Sequence, residues 1–183
     1  MGEGPLILAM DIATVTGWAY GRVGERPRSG AVRFGSGAQS YGKRMAMGMN
    51  WLHDFLTVNE VKYFVYEAPL ATSLVSGKTN ASTTMILFGL VGVVEAVANS
   101  HKIYSVKSAH LSTVRKHFIG TGNLPGALAK MKVRARCRTL GWEFDDHNAA
   151  DALAVWDYAG NLLAPNYAAN TVFPANFISK KRK

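Results

Sequence analysis

Cysteine is nearly missing: Cys137 is the single thiol among 183 residues. One thiol closes no internal disulfide and offers no Cys pair to zinc. Arg134, Arg136 and Arg138 beside it would lower its pKa, but a packing residue on a helix is the plainer reading. Long apolar runs are missing too. The longest, Met85 to Ala98, carries Glu95 and falls short of the ~20 residues a bilayer-spanning helix needs. The opening MGEGPLILAM has neither a basic leader nor a secretory apolar run. A cytoplasmic, reducing setting without membrane contact is expected. The glycine-rich IGTGN lacks the Lys-Ser/Thr ending and the strand context of a phosphate-binding loop, so no nucleotide cofactor is expected.

Acidic residues are scarce. There are 12 Asp and Glu against 21 Lys and Arg, giving a formal net charge of +9. A basic balance on a compact chain favours a polyanionic partner, because each neutralised phosphate releases counterions. Hydrophobic residues make up 48% of the chain, enough for one sizeable core. The length suits one domain, set at residues 1–165, with a basic tail at 166–183 ending in KKRK.

Periodicity orders the elements. PLILAM, ending at Asp11, is a short apolar run that reads as a buried strand. TGWAYGRV and GAVRF are further strands separated by the turn-rich GERPRSG. Met45, Met49, Leu52 and Leu56 repeat at helical spacing within 39–58. KYFVY is a strand followed directly by Glu67. Residues 70–84 read as a polar connection and 85–99 as a mostly apolar helix. Strand 103–106, a helical stretch 107–117, a loop 119–125, a basic helix 127–140 and an apolar helix 145–163 complete the chain. Three consecutive strands imply antiparallel pairing, and the later strand–helix–strand units imply parallel pairing. An α/β fold with a mixed five-stranded sheet flanked by helices is expected.

Against this background three acids stand out. Asp11 and Glu67 each end an almost purely apolar strand, where an ionised carboxylate is costly unless paired or metal-bound. Asp151 sits in DDHNAADALA, among small apolar residues that let a helix approach a sheet. His147 and Asn148 share its helix face by their spacing. Asp146 reaches the same place only from the N-cap position, where Asp is also favoured simply as a cap. Convergent carboxylates repel one another, and hard oxygen ligands suit Mg²⁺ or Mn²⁺. Two such ions about 4 Å apart can hold a phosphodiester. The pattern points to phosphoryl transfer rather than redox or acyl chemistry.

The pieces LAMDIATVTGWAY, YEAPL, FIGTGN and DDHNAADALAVWDYA, in that order from Leu6 to Ala159, resemble the RuvC-type Holliday junction resolvases, bacteriophage forms especially. The resemblance implies a ribonuclease H-like fold, a homodimer, and two-metal cleavage of four-way and other branched DNA in a bacterial or phage-infected cell. It matches Asp11, Glu67 and Asp151 to acidic metal ligands. It also places an Asp or His three residues before the last acid, where this chain has Asn148. Asp146 is taken as the fourth catalytic group and metal ligand, with His147 or Asn148 as alternatives. By the same resemblance Arg115, Lys116, Lys130 and Lys132 are DNA-binding candidates. So are Leu74, as a wedge against bases, and Lys78, as a phosphate contact.

Rival readings are a ribonuclease H-like nuclease acting on RNA–DNA hybrids, a transposase-like core, and a non-catalytic branched-DNA-binding protein with a degenerate site, which the Asn148 departure favours. A sugar-kinase or actin-like ATPase also begins with a strand ending in Asp, but needs two such domains and a longer chain.

Overall fold

The computed structural model describes residues 3–69 and 81–167. Their elements run β1 (Leu6–Asp11), β2 (Val15–Arg22), β3 (Arg28–Arg33), α1 (Tyr41–Val58), β4 (Tyr63–Glu67), α2 (Ala81–Ser100), β5 (Val106–Ala109), α3 (Leu111–Ile119), α4 (Gly126–Thr139) and α5 (His147–Leu163). The strands form one sheet in the order β3-β2-β1-β4-β5. β1, β2 and β3 pair antiparallel, whereas β1, β4 and β5 pair parallel. This is the expected mixed α/β sheet.

The alternation of side chains along each strand divides the core into two layers. Ile7 and Ala9 of β1, Ala19 of β2 and Val65 of β4 face α3, α4 and α5, packing with Val114, Val133 and Leu153. Leu8, Met10, Tyr20, Phe64 and Tyr66 face the opposite way, towards Leu52 and Leu56 of α1 and Leu90 and Val94 of α2. By the same parity Asp11 and Glu67 end on the α5 side. Cys137 is fully buried in that layer, where burial pushes its thiol up to about 12. The neighbouring arginines do not activate it.

Three elements are displaced by three residues or more from the sequence reading. α2 begins at Ala81 rather than Met85, because Ser82, Thr83 and Thr84 serve as a polar first turn. Its 20 residues are long and apolar enough to cross a bilayer on length and composition alone. Leu90, Val94, Val97 and Ala98 are its buried residues, and 22% of its apolar window lies inside the protein. β5 lies at 106–109, three residues later than expected, since Phe64 pairs with Val106 and Glu67 with Ala109. Ile103 is buried in the preceding loop, and exposed Lys107 and Ser108 disguise the edge strand. α3 shifts with it to 111–119 and stops at Gly120, whose φ of 79° is left-handed.

Candidate active site

Asp11 and Glu67 are partners in the parallel β1–β4 register. Neighbouring strands lie about 4.8 Å apart, so the two carboxylates leave the sheet side by side. The chain after Asp11 turns tightly: the buried Thr16 hydroxyl donates to the Ala13 carbonyl at 2.6 Å. On the other side of Asp11 in the ladder is Gly17. A Cβ at Gly17 would land on the backbone carbonyl of Asn148, so this glycine lets the first turn of α5 sit directly on the sheet. Ala149, Ala150, Ala152 and Ala154 keep that approach close along the helix. Asp151, one turn further in, is thereby carried to the sheet with its side chain 14% exposed.

The three acids share one electrostatic field. Burial, with repulsion from Asp151, raises Asp11 to about 7. Burial and repulsion from Asp11 and Asp151 raise Glu67 to about 9. Burial raises Asp151 as well, opposed by Lys130, Arg115, His147 and Arg134. Lys130 of α4 stands 4.0 Å from Asp151, and Arg115 of α3 acts on all three acids. These two cations belong to the site itself. Lys116 and Lys132 are exposed and point to solvent. Leu74 and Lys78 lie outside the described residues, as do 168–183 of the basic tail.

Asp146 stands as the N-cap of α5. Its Oδ1 accepts from the backbone N–H of Ala149 and its Oδ2 from the Asn148 side-chain amide, each at 2.9 Å. Burial would raise its pKa, but these hydrogen bonds and His147 together hold it below the usual carboxylate range. Asp146 is not among the charges that shift Asp11 or Glu67. Both its carboxylate oxygens are engaged at the helix start, which is the capping role the sequence also allowed. His147 is exposed at the first helical position, close enough to act on Asp146 and Asp151.

A cap and a metal ligand respond differently to serine, which caps well but binds metal poorly. Asp146→Ser is expected to keep stability and cleavage, whereas Asp146→Ala loses about 1 kcal/mol of stability. Thermal melts with parallel cleavage assays check this. A collapse of cleavage in the serine variant would assign Asp146 as a ligand.

Sequence reasoning missed two contributors. Arg134 follows Lys130 by one helical turn, a spacing that was there to be read. Gly17 lies within the TGWAY stretch, but its use depends on a helix more than 100 residues away.

Among the described residues no three Asp, Glu, His or Cys side chains form a ready-made metal cluster. The donor chemistry nevertheless fits a hard divalent cation. Three oxygen-bearing groups converge, and their shared reluctance to ionise is what an added positive charge relieves.

No protein-family model and no curated protein matches the chain. Solved structures do. Thermus thermophilus RuvC matches at a TM-score of 0.62 and 16% identity, over 82% of this chain and 90% of that one. The chain has the fold of the RuvC resolvases. The same Thermus protein in complex with Holliday junction substrate matches at a TM-score of 0.63 with the same identity and coverage. The yeast mitochondrial Holliday junction resolvase Ydc2 matches at 0.58 and 12% identity, over 90% of this chain and 83% of that one. At these identities the likeness establishes a ribonuclease H-like α/β fold of this type.

Proposed function

We propose that this chain is a Mg²⁺- or Mn²⁺-dependent endonuclease that hydrolyses phosphodiesters in branched DNA, four-way junctions included. The pairing of Asp11 with Glu67, with Asp151 brought against them over Gly17, carries the reading. The RuvC-like fold and a neighbour solved on a Holliday junction support the substrate class. Asp11, Glu67 and Asp151 would hold the metal, which when bound supplies Lewis-acid stabilisation and an acidified water. Arg115 and Lys130 balance the acids in the free chain and are placed to take up a phosphate. The basic face of α4, with Arg134 one turn and Arg138 two turns after Lys130, would follow the DNA backbone. The domain is taken as residues 1–165, with the tail adding non-specific affinity, in the cytoplasm of a bacterial or phage-infected cell.

The test is cleavage of labelled four-way junction, linear duplex and RNA–DNA hybrid with either metal. Preference for the junction supports the reading, and preference for the hybrid replaces it with a ribonuclease H activity. Tight junction binding without cutting would favour a binding protein, a reading supported by Asn148 and by the absence of a closed cluster among the described residues.

Junction resolution needs two opposed cuts, so the proposal includes a homodimer. α2 supplies an apolar face for a second copy. Met85 is 57% and Phe88 48% exposed, one turn apart on one stripe, and Gly92 continues that stripe with open space above it. Gly89, by contrast, is used within the chain, against Tyr41 and Met45 of α1. Phe88→Glu is expected to turn the dimer into a folded monomer by sedimentation and to convert paired junction cuts into single nicks. An unchanged sedimentation coefficient would place the interface elsewhere.

A further inference from the structure

His53 and His101 come from different elements and meet away from the acids. His53 lies on the outer face of α1, and His101 follows the last residue of α2. Nε2 of His101 is 2.9 Å from Nδ1 of His53. The rings are 4.8 Å apart and inclined at 62°. α1 ends just before β4 begins, and α2 ends just before β5, so the pair marks the end of the sheet opposite Asp11 and Glu67.

We infer that His53 and His101 form a binding site for a borderline divalent transition-metal ion such as Ni²⁺ or Zn²⁺. Without metal, the two nitrogens share one proton in a hydrogen bond. When that proton moves to the other nitrogen of its own ring, two neutral imidazoles remain whose facing lone pairs a small tilt of the rings directs to one point. Metal–nitrogen bonds of ~2.0 Å at a right angle set two nitrogens ~2.9 Å apart, and a tetrahedral angle sets them ~3.3 Å apart. The observed separation meets the first and lies within reach of the second.

The backbone on both sides is already fixed. His53 is in mid-helix, and its carbonyl accepts from the Thr57 hydroxyl at 2.8 Å. The His101 N–H donates to Val97 at 3.1 Å, and Ile103 is tied to Ala98 at 2.9 Å. Little conformational entropy remains to be lost on binding. The carbonyl end of α2 beside His101 adds a field that favours a cation. Two neutral imidazoles select borderline ions and leave Mg²⁺ to the carboxylates. A bound ion would clamp the C-terminal end of α2 to α1. The site stands independently of the nuclease reading.

The experiment is a titration of the untagged full chain with NiCl₂ and with ZnCl₂ by calorimetry, in excess Mg²⁺, with thermal melts alongside. One ion is expected to bind per chain and to raise the melting temperature. His53→Ala and His101→Ala should each weaken binding at least about tenfold and abolish the thermal shift, while Asp11→Asn and His110→Ala leave both unchanged. Both histidines are at the surface, so their variants should melt like the parent without metal. Ring signals of His53 and His101 that broaden first in an NMR titration with Ni²⁺ would give the same answer without a variant. Binding that survives either single replacement, or no binding up to about 100 µM metal, would overturn the proposal.

Discussion

Asn in place of Asp11 will abolish cleavage and, in the absence of metal, make the chain more stable. The two effects have one cause. Asp11 is driven up to about 7 by burial and by Asp151, and Glu67 up to about 9 by burial, Asp11 and Asp151. Their folded pKa values exceed the unfolded ones, so the folded chain binds more protons over the intervening range. Stability therefore falls as pH rises from about 4 towards 9. At pH 8 the cost for the pair is on the order of a few kcal/mol, and it is not additive because the Asp11 charge raises Glu67 and Asp151 acts on both. Asn keeps the shape and removes the charge. Metal-free melts of Asp11→Asn and Glu67→Gln should show higher melting temperatures than the parent at pH 8 and a smaller difference at pH 5.

Adding Mg²⁺ or Mn²⁺ should raise the parent's melting temperature, by mass action on the folded state, and leave the variants nearly unmoved. Cleavage in the variants should drop by about three orders of magnitude or more, equivalent to at least ~4 kcal/mol of transition-state stabilisation, with junction binding retained. Asp151→Asn should share the loss of cleavage but gain less stability, since Lys130 already compensates that acid. Variants that lose stability along with activity would show the acids to be structural, paired to groups that need their charge.

Legibility in the sequence followed the range of the interactions. Asp11 and Glu67 could be found because each breaks an apolar strand at its last position, and their juxtaposition needs only that β1 and β4 be neighbours. Asp151 could be found because an acid in an alanine-rich helix conflicts with its surroundings. Local signals also located the helices, since apolar periodicity covers most of each. The misplaced β5 shows the limit. An edge strand pairs on one side only, so exposed Lys107 and Ser108 carry no strand pattern, while buried Ile103 imitates one from the adjoining loop. Asp146 shows another limit. A residue that caps a helix and one that ligates a metal from the helix start have the same sequence signature; the hydrogen bonds show the cap, and cleavage by Asp146→Ser tests the ligand. The partnership of His53 with His101 has no sequence signature at all, because it depends on α1 lying against α2.

The residue most exposed to this long-range logic is Gly17, and Gly17→Val is expected to disable the site without touching an acid. Gly17 lies opposite Asp11 in the β1–β2 ladder, on the face that α5 covers. Its Cβ would meet the carbonyl oxygen and carbon of Asn148 and the nitrogen of Ala149, all of them backbone. No side-chain rotation relieves such a clash. Either β2 must buckle, against its ladder to β1 and β3, or the first turn of α5 must lift. The second is easier, because that turn is held by the Asp146 cap while the rest of the helix is anchored by Leu153, Val155 and Trp156 in the core. Lifting the turn moves Asp151 from the other two acids. Overpacking of this kind costs about 1–3 kcal/mol, which for a chain of this size lowers the melting temperature by roughly 2–12 °C. A displacement of about 1 Å in a catalytic group costs about a hundredfold in rate. Gly17→Val should therefore fold, melt lower, bind junctions through the undisturbed α4 face, and cleave at about one hundredth of the parental rate. Gly30 supplies the control. The three atoms nearest its Cβ all belong to the Trp18 ring, on the other face of the sheet, so Gly30→Ala should lose stability and keep its rate. Equal loss of rate in both variants would mean that cleavage tracks global stability, and that the seat of α5 on Gly17 does not position Asp151.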